Sequence, residues 1–174
     1  MNSCKKIEDY IVSVPDFPKP GVLFRDITGI LGDADGLKLT LDALYKTLEN
    51  VEFDVVAGLE ARGFLFGVPI AEHFHKSFVP IRKKGKLPRE AVEITYNLEY
   101  GQACMEIHKD AVKPGQKVII VDDLLATGGT AKAAAHLIEK TGGTVECCLF
   151  IIELLDLKGR DALEGYHVEA LTRF

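Results

Sequence analysis

Residues 117–130, KVIIVDDLLATGGT, restrict the fold more than any other stretch of the chain. Val118, Ile119, Ile120 and Val121 follow one another with no polar residue between them, and Asp122 and Asp123 end the run. A strand with apolar side chains on both faces must be covered on both faces, which a parallel sheet flanked by helices achieves and a half-solvated antiparallel sheet does not. The small-residue loop LLATGGT then leads into an amphipathic segment, residues 130–141, that reads as a helix.

The rest of the chain follows the same rhythm. Leu37, Leu41, Leu44 and Leu48 recur at helical spacing and predict one helix over 36–49. FDVVAG, 53–58, predicts a short buried strand, and a polar loop, LEARG, separates it from the helix-like run FLFGVPIAEHF, in which Pro69 is expected near a helix start or at a kink. Strand-like segments follow at 77–81, 93–98 and 103–109, with turns at EYGQ and KPGQ, and a Gly-Gly turn precedes the apolar strand TVECCLFII. The expectation is an α/β protein with a mainly parallel central sheet and helices on both faces. With 174 residues, 47% of them hydrophobic, one domain over 1–174 suffices, burying roughly 68–70% of the surface of the unfolded chain.

Composition excludes several classes of function. The longest apolar stretches, 64–71 and 147–152, fall well short of the ~20 residues that cross a bilayer. Acidic residues interrupt the N-terminal segment before a signal-peptide core can form, so a cytoplasmic protein without membrane contact is expected. The four cysteines contain no C-x-x-C pair, and Cys147 and Cys148 sit together in an apolar strand, so neither disulfides nor structural zinc are expected. His73 and His75 lie two apart, on different faces of a helix, and do not form a metal pair. A net charge of −5 argues against nucleic-acid binding. Charge is uneven, however: Arg82, Lys83, Lys84, Lys86 and Arg89 stand with no acid among residues 82–89.

Ligands of open α/β sheets bind beyond the carboxyl ends of the strands, where Asp122 and Asp123 are expected. The glycines after them let backbone curl around an anion, and the first turns of the helix offer amides for it. Thr127 or Thr130 taken alone equally suits an ordinary helix cap. The loop lacks the lysine of a nucleotide-hydrolase phosphate loop and the G-x-G-x-x-G of a dinucleotide fold, which leaves a nucleotide kinase remote. What remains is a phosphate cradle with two acids upstream. Carboxylates repel phosphate but accept hydrogen bonds from hydroxyls, so the pattern suits a diol near a phosphate, as in a ribose 5-phosphate.

VIIVDDLLATGGT resembles the 5-phosphoribosyl-1-pyrophosphate (PRPP) signature of the type I phosphoribosyltransferases, in the form carried by the adenine-specific members. FPKPGVLFRDIT, GLEARGF, RKKGKLPRE and YNLEYG resemble that family's segments in the same order over nearly the whole chain. The resemblance implies purine salvage, with adenine and PRPP converted to AMP and pyrophosphate with Mg²⁺, by a protein that is commonly a homodimer. It implies that Ala126, Thr127, Gly128, Gly129 and Thr130 cradle the 5-phosphate, with Asp122 and Asp123 beside the ribose hydroxyls. Ala61, Arg62 and Gly63 match the family's pyrophosphate loop, where Arg62 would stabilise charge on the leaving group. The basic stretch, with Arg82, Lys83 and Lys86, would be a flexible lid that keeps water from the ribosyl cation; by itself it is equally a solvated charge run. Glu99 would manage the purine proton, with Tyr100 packing nearby, although without the resemblance Glu99 reads as an exposed acid before a turn. Residues 1–34 would form a hood over the base, with Phe24 stacking and the backbone of Val22, Leu23 and Arg25 reading the purine edge; Phe24 alone reads as core. Gly29 departs from the proline expected after DIT. No protein metal ligands are expected, since Mg²⁺ binds largely through substrate phosphates and waters. Two rivals remain: transfer to another nucleobase, and a PRPP-sensing regulator.

Overall fold

The computed structural model describes residues 5–98 and 101–174. It divides into two compact units, Met1–Lys46 and Thr47–Phe174.

In the first unit, β1 (Val12–Pro15) and β2 (Leu23–Asp26) form an antiparallel hairpin, with Val12 opposite Asp26 and Pro15 opposite Leu23. By sequence alone, Pro15, Pro18 and Pro20 predict only a stiff, non-helical stretch here. Pairing survives because Pro15 sits at the strand end, where a missing donor costs the ladder little. Phe17 and Phe24 meet edge to face at 5.2 Å. A short helix, α1 (Thr28–Leu31), follows. Gly29 explains its own departure from the family pattern: a Cβ there would lie 2.3 Å from the carbonyl oxygen of Tyr10, so a proline would force the chain apart. Helix α2 (Ala34–Leu48) starts where Asp33 accepts hydrogen bonds from the amides of Asp35 and Gly36, both at 3.0 Å, in ordinary N-cap chemistry.

The second unit is built on a seven-stranded sheet in the order β5-β6-β4-β3-β7-β8-β9. Its strands are β3 (Val55–Leu59), β4 (Ser77–Lys83), β5 (Ala91–Leu98), β6 (Gly101–His108), β7 (Lys117–Leu125), β8 (Thr144–Glu153) and β9 (Val168–Arg173). Strands β4, β3, β7, β8 and β9 are parallel, and the β5–β6 hairpin closes one edge antiparallel, so the sheet is mainly parallel as expected. Side chains alternate along β3. Val55, Ala57 and Leu59 join Val118, Ile120 and Phe150 under the alanine-rich face of helix α4 (Gly129–Lys140), which is why that helix tolerates Ala131, Ala133, Ala134 and Ala135 at buried positions. On the other face, Phe78 packs against Gly58 and Gly67, beneath helix α3 (Arg62–His73).

Several details depart from expectation. Pro69 lies well inside α3. The basic stretch begins within β4, which runs on to Lys83. The one-turn helix α5 (Gly159–Ala162) and strand β9, beyond the last predicted element, complete the sheet. His73 and His75 are exposed, Cys147 and Cys148 are buried in β8, and the three described cysteines are free. Burial pushes the thiols of Cys147 and Cys148 up to about 12, which keeps them inert. No helix among the described residues is long and apolar enough to cross a membrane.

Candidate active site

The chain leaves β3 for β4 on one side of the sheet and returns as β7 on the other, so the sheet's switch point lies between β3 and β7. Such crevices, at the carboxyl ends of the strands, are where open α/β sheets bind ligands. The two loops that emerge there are Glu60–Arg62, after β3, and the loop after β7 that leads into α4. They are drawn close. A Cβ on Gly63 would lie 2.4 Å from the carbonyl oxygen of Val121, so only glycine lets the first turn of α3 reach the end of β7.

Helix α4 begins without a side-chain cap and with no acid in its first turn, and its N-cap, Gly128, holds φ at +81°. Neither Thr127 nor Thr130 takes the capping role that a single threonine would suggest. The result is a helix N-terminus with its positive end and amides facing the crevice. A pocket of about 80 Å³ sits there, bounded by Ala126, Thr127, Gly128, Thr130 and Asp122 among others, roughly the volume of two to three waters. Beside it lies a larger cavity of about 570 Å³, lined by Leu59, Glu60, Arg82, Lys83, Lys84 and Tyr96 among others. That volume falls within the roughly 300–1,000 Å³ usual for ligand sites. Asp122 and Thr130 line both cavities, so the two lie side by side.

The two aspartates stay close to each other, and the amide of Asp123 donates to Oδ1 of Asp122 at 2.9 Å, but only one of them lines the cavities. Asp122 faces the cavities. Asp123 is 4% exposed, lines neither cavity, and accepts a hydrogen bond from Nε of Arg62. Burial, reinforced by the charge of Asp123, pushes the Asp122 carboxyl up to about 8. Burial and the neighbouring charge thus both favour the neutral form of Asp122.

The cationic side of the larger cavity is organised by two acids that sequence reading missed. Glu60 accepts the amide of Lys83 at 2.9 Å and Nε and Nη2 of Arg82 at 3.2 and 3.3 Å. The Lys83 amide, helped by Arg82, holds its carboxyl below the usual range. Glu106, 6% exposed, accepts the amides of Lys86 at 2.9 Å and Leu87 at 2.8 Å. Burial would raise the Glu106 carboxyl, but the amides of Leu87, Gly85 and Lys86 outweigh it and hold the group low. The turn after β4 is thus tied down at its backbone. Lys84 lines the cavity, whereas Lys86 is exposed and does not. Tyr96, Cys104 and Met105, from the β5–β6 hairpin, complete the wall. No local motif marks these residues, because they meet only through strand pairing.

Val22, Leu23, Phe24 and Arg25 lie at the second strand of the N-terminal hairpin, in the first unit, where Arg25 bonds the hydroxyl of Ser13. Glu99 and Tyr100 lie outside the described residues.

A model of the family described as "Phosphoribosyl transferase domain" matches residues 35–169. The chain belongs to this phosphoribosyltransferase family. Its full-length relatives narrow the class: an adenine phosphoribosyltransferase of Agathobacter rectalis is 56% identical over 170 residues, 98% of each chain. One of Francisella philomiragia is also 56% identical over 170 residues, covering 97% of each. Among solved structures, the adenine phosphoribosyltransferase of Thermoanaerobacter pseudethanolicus matches with a TM-score of 0.94 and 51% identity, covering 97% of this chain and 98% of that one. The Saccharomyces cerevisiae enzyme, solved with an imino-altritol bisphosphate and adenine, matches with a TM-score of 0.89 and 40% identity over 95% and 96%.

Proposed function

We propose that this chain performs purine salvage, transferring the 5-phosphoribosyl group of PRPP to adenine and releasing AMP and pyrophosphate, as the enzymes it resembles over its full length are named for doing. One observation carries the reading: a small pocket at an uncapped helix start lies beside a larger cavity with a cationic rim, and Asp122 lines both. A ribose phosphate spans such a pair, with its 5-phosphate on Ala126, Thr127, Gly128, Gly129 and Thr130 and a hydroxyl at Asp122.

The helix N-terminus alone contributes only about 0.3–1 kcal/mol per anion, up to ~2 in partly buried sites, against roughly 8 kcal/mol for micromolar binding. Arg62, between Ala61 and Gly63, together with Arg82 and Lys83, supplies the remaining charge and faces the pyrophosphate as negative charge grows on it. Asp123 lies with Asp122 beside the ribose hydroxyls and orients Arg62. Lys86 belongs to the lid over the reacting sugar, and Glu99, with Tyr100 beside it, handles the proton as nitrogen 9 of adenine attacks. Residues 1–34 form the hood, in which Phe24 stacks on the base and Val22, Leu23 and Arg25 present backbone to its edge.

No group of three or more His, Cys, Asp or Glu side chains among the described residues is placed to hold a metal. This donor set fits Mg²⁺, which typically takes one or two carboxylates and otherwise keeps phosphates and waters. Held by the substrate's phosphates and waters, the ion would neutralise pyrophosphate charge when bound. A homodimer in the cytoplasm is part of the same reading. The direct test is AMP formation from labelled adenine, PRPP and Mg²⁺ beside guanine, hypoxanthine and uracil. Turnover restricted to adenine is expected; preference for another base, or no turnover with any, overturns it.

A further inference from the structure

The signature loop does not hold its shape alone. Its back wall is the segment that follows β8, some thirty residues later in the chain. A Cβ on Gly128 would lie 2.3 Å from the carbonyl oxygen of Gly159 and 2.9 Å from Cβ of Ala162. The reverse contact is equally tight: a Cβ on Gly159 would lie 2.4 Å from the carbonyl oxygen of Ala126 and 2.8 Å from Cδ1 of Leu125. Two backbones with no side chain between them are therefore in direct contact, one of them the loop that bounds the small pocket.

The wall has its own support. Glu153, opposite Leu125 on the β7–β8 ladder, has a side chain only 5% exposed. Arg160 grips it with both arms, Nε at 2.7 Å and Nη2 at 2.9 Å, while its Nη1 donates to the carbonyl of Val168 at 2.8 Å. Arg173, on β9, approaches the same carboxylate at 3.3 Å. The amide of Leu154 donates to the carbonyl of Leu125 at 3.0 Å, and Lys158 turns the chain through φ +50° to deliver Gly159. A bidentate pair of this kind fixes direction as well as distance. The Arg160 side chain is thereby fixed one residue from Gly159.

We propose that Gly159, held by the Arg160–Glu153 clamp, is a positioning residue for the 5-phosphate: it sets the curvature of the 126–129 backbone and hence the aim of its amides. Neither residue touches the ligand. This inference rests on the reading that the loop binds the 5-phosphate.

The test uses the full chain. Kd for ribose 5-phosphate is measured by calorimetry, KM for PRPP and for adenine by steady-state assay, and Tm by thermal unfolding, for wild type, Gly159→Ala and Arg160→Met. For Gly159→Ala, Kd for ribose 5-phosphate and KM for PRPP rise by about tenfold or more, since misplacing a group by an ångström can cost up to about 100-fold and this shift acts through the loop, while KM for adenine stays put. Arg160→Met moves the same two constants in the same direction by less. A folded Gly159→Ala protein with wild-type Kd and KM overturns the proposal. If Gly159→Ala does not fold, Arg160→Met decides: a lowered Tm with all constants unchanged assigns the clamp to stability alone and overturns it. Wild-type protein that binds no ribose 5-phosphate overturns the site reading itself, and the inference with it.

Discussion

The two cavities that Asp122 lines are built by opposite means. The small one is bounded by a left-handed glycine and an uncapped helix start, in a loop that Gly159 backs, with no cationic side chain lining it. The larger one is lined by charged side chains, Arg82, Lys83 and Lys84, and the strand and turn that carry them are held by Glu60 and Glu106. Main-chain amides have a fixed direction set by the fold, so they suit a group recognised by geometry. Long side chains move, so they suit a group whose charge changes during a reaction. Within the proposed function, the 5-phosphate is a handle that stays constant, and the pyrophosphate is the part that leaves.

That contrast can be broken most severely at Gly128. In Gly128→Ala, the added Cβ meets backbone at 2.3 Å and the residue must hold φ +81°. The expected outcome is a loss in kcat/KM for PRPP of about 100-fold or more, measured by steady-state assay, with no rescue by extra salt or Mg²⁺. Next comes Glu106→Ala, which takes the acceptor from the amides of Lys86 and Leu87. Water reaches that turn, so stability falls by only about 1 kcal/mol, whereas KM for PRPP rises by about tenfold as the cationic strand loosens. Glu106→Gln, which keeps an acceptor oxygen, recovers part of that loss.

These two sites also show what a sequence discloses. Gly128 is legible because its cause is local: glycines and threonines at fixed spacing after an apolar strand leave few alternatives. The same holds for the helix at Leu37 to Leu48 and the buried pair Cys147 and Cys148, which show through periodicity and apolar runs. Glu60 and Glu106 read as ordinary acids, since their partners lie about twenty residues away and meet them only once β4 pairs with β3 and β6. Gly159 is hidden for the same reason. That Asp122 and not Asp123 lines the cavities depends on where α3 and α4 pack. The N-terminal hairpin was obscured by its prolines, which read as breakers until Pro15 is seen at a strand end.

A smaller effect sharpens the comparison through pH. The folded Asp122 carboxyl titrates near 8 against a normal value of 3.8, so between those values the folded state binds the extra proton. Stability from this group is full below about pH 4 and is lost as pH rises toward 8. Asp122→Asn removes the loss. Its Tm relative to wild type should climb steadily from pH 5 to pH 8, and a flat difference would show that Asp122 is not shifted. Smallest of all is Lys84→Ala. Its ion pair with Glu93 is solvent-exposed, so Tm should not move, while KM for PRPP rises severalfold at low ionic strength and less at high.

The central claim, that the loop after β7 holds a sugar phosphate through its backbone, is tested most directly by a crystal structure of this protein with ribose 5-phosphate. The account predicts phosphate oxygens about 2.7–3.2 Å from the amides of residues 127–130, with a ribose hydroxyl on Asp122. Density for the ligand elsewhere, with that loop empty, would contradict it.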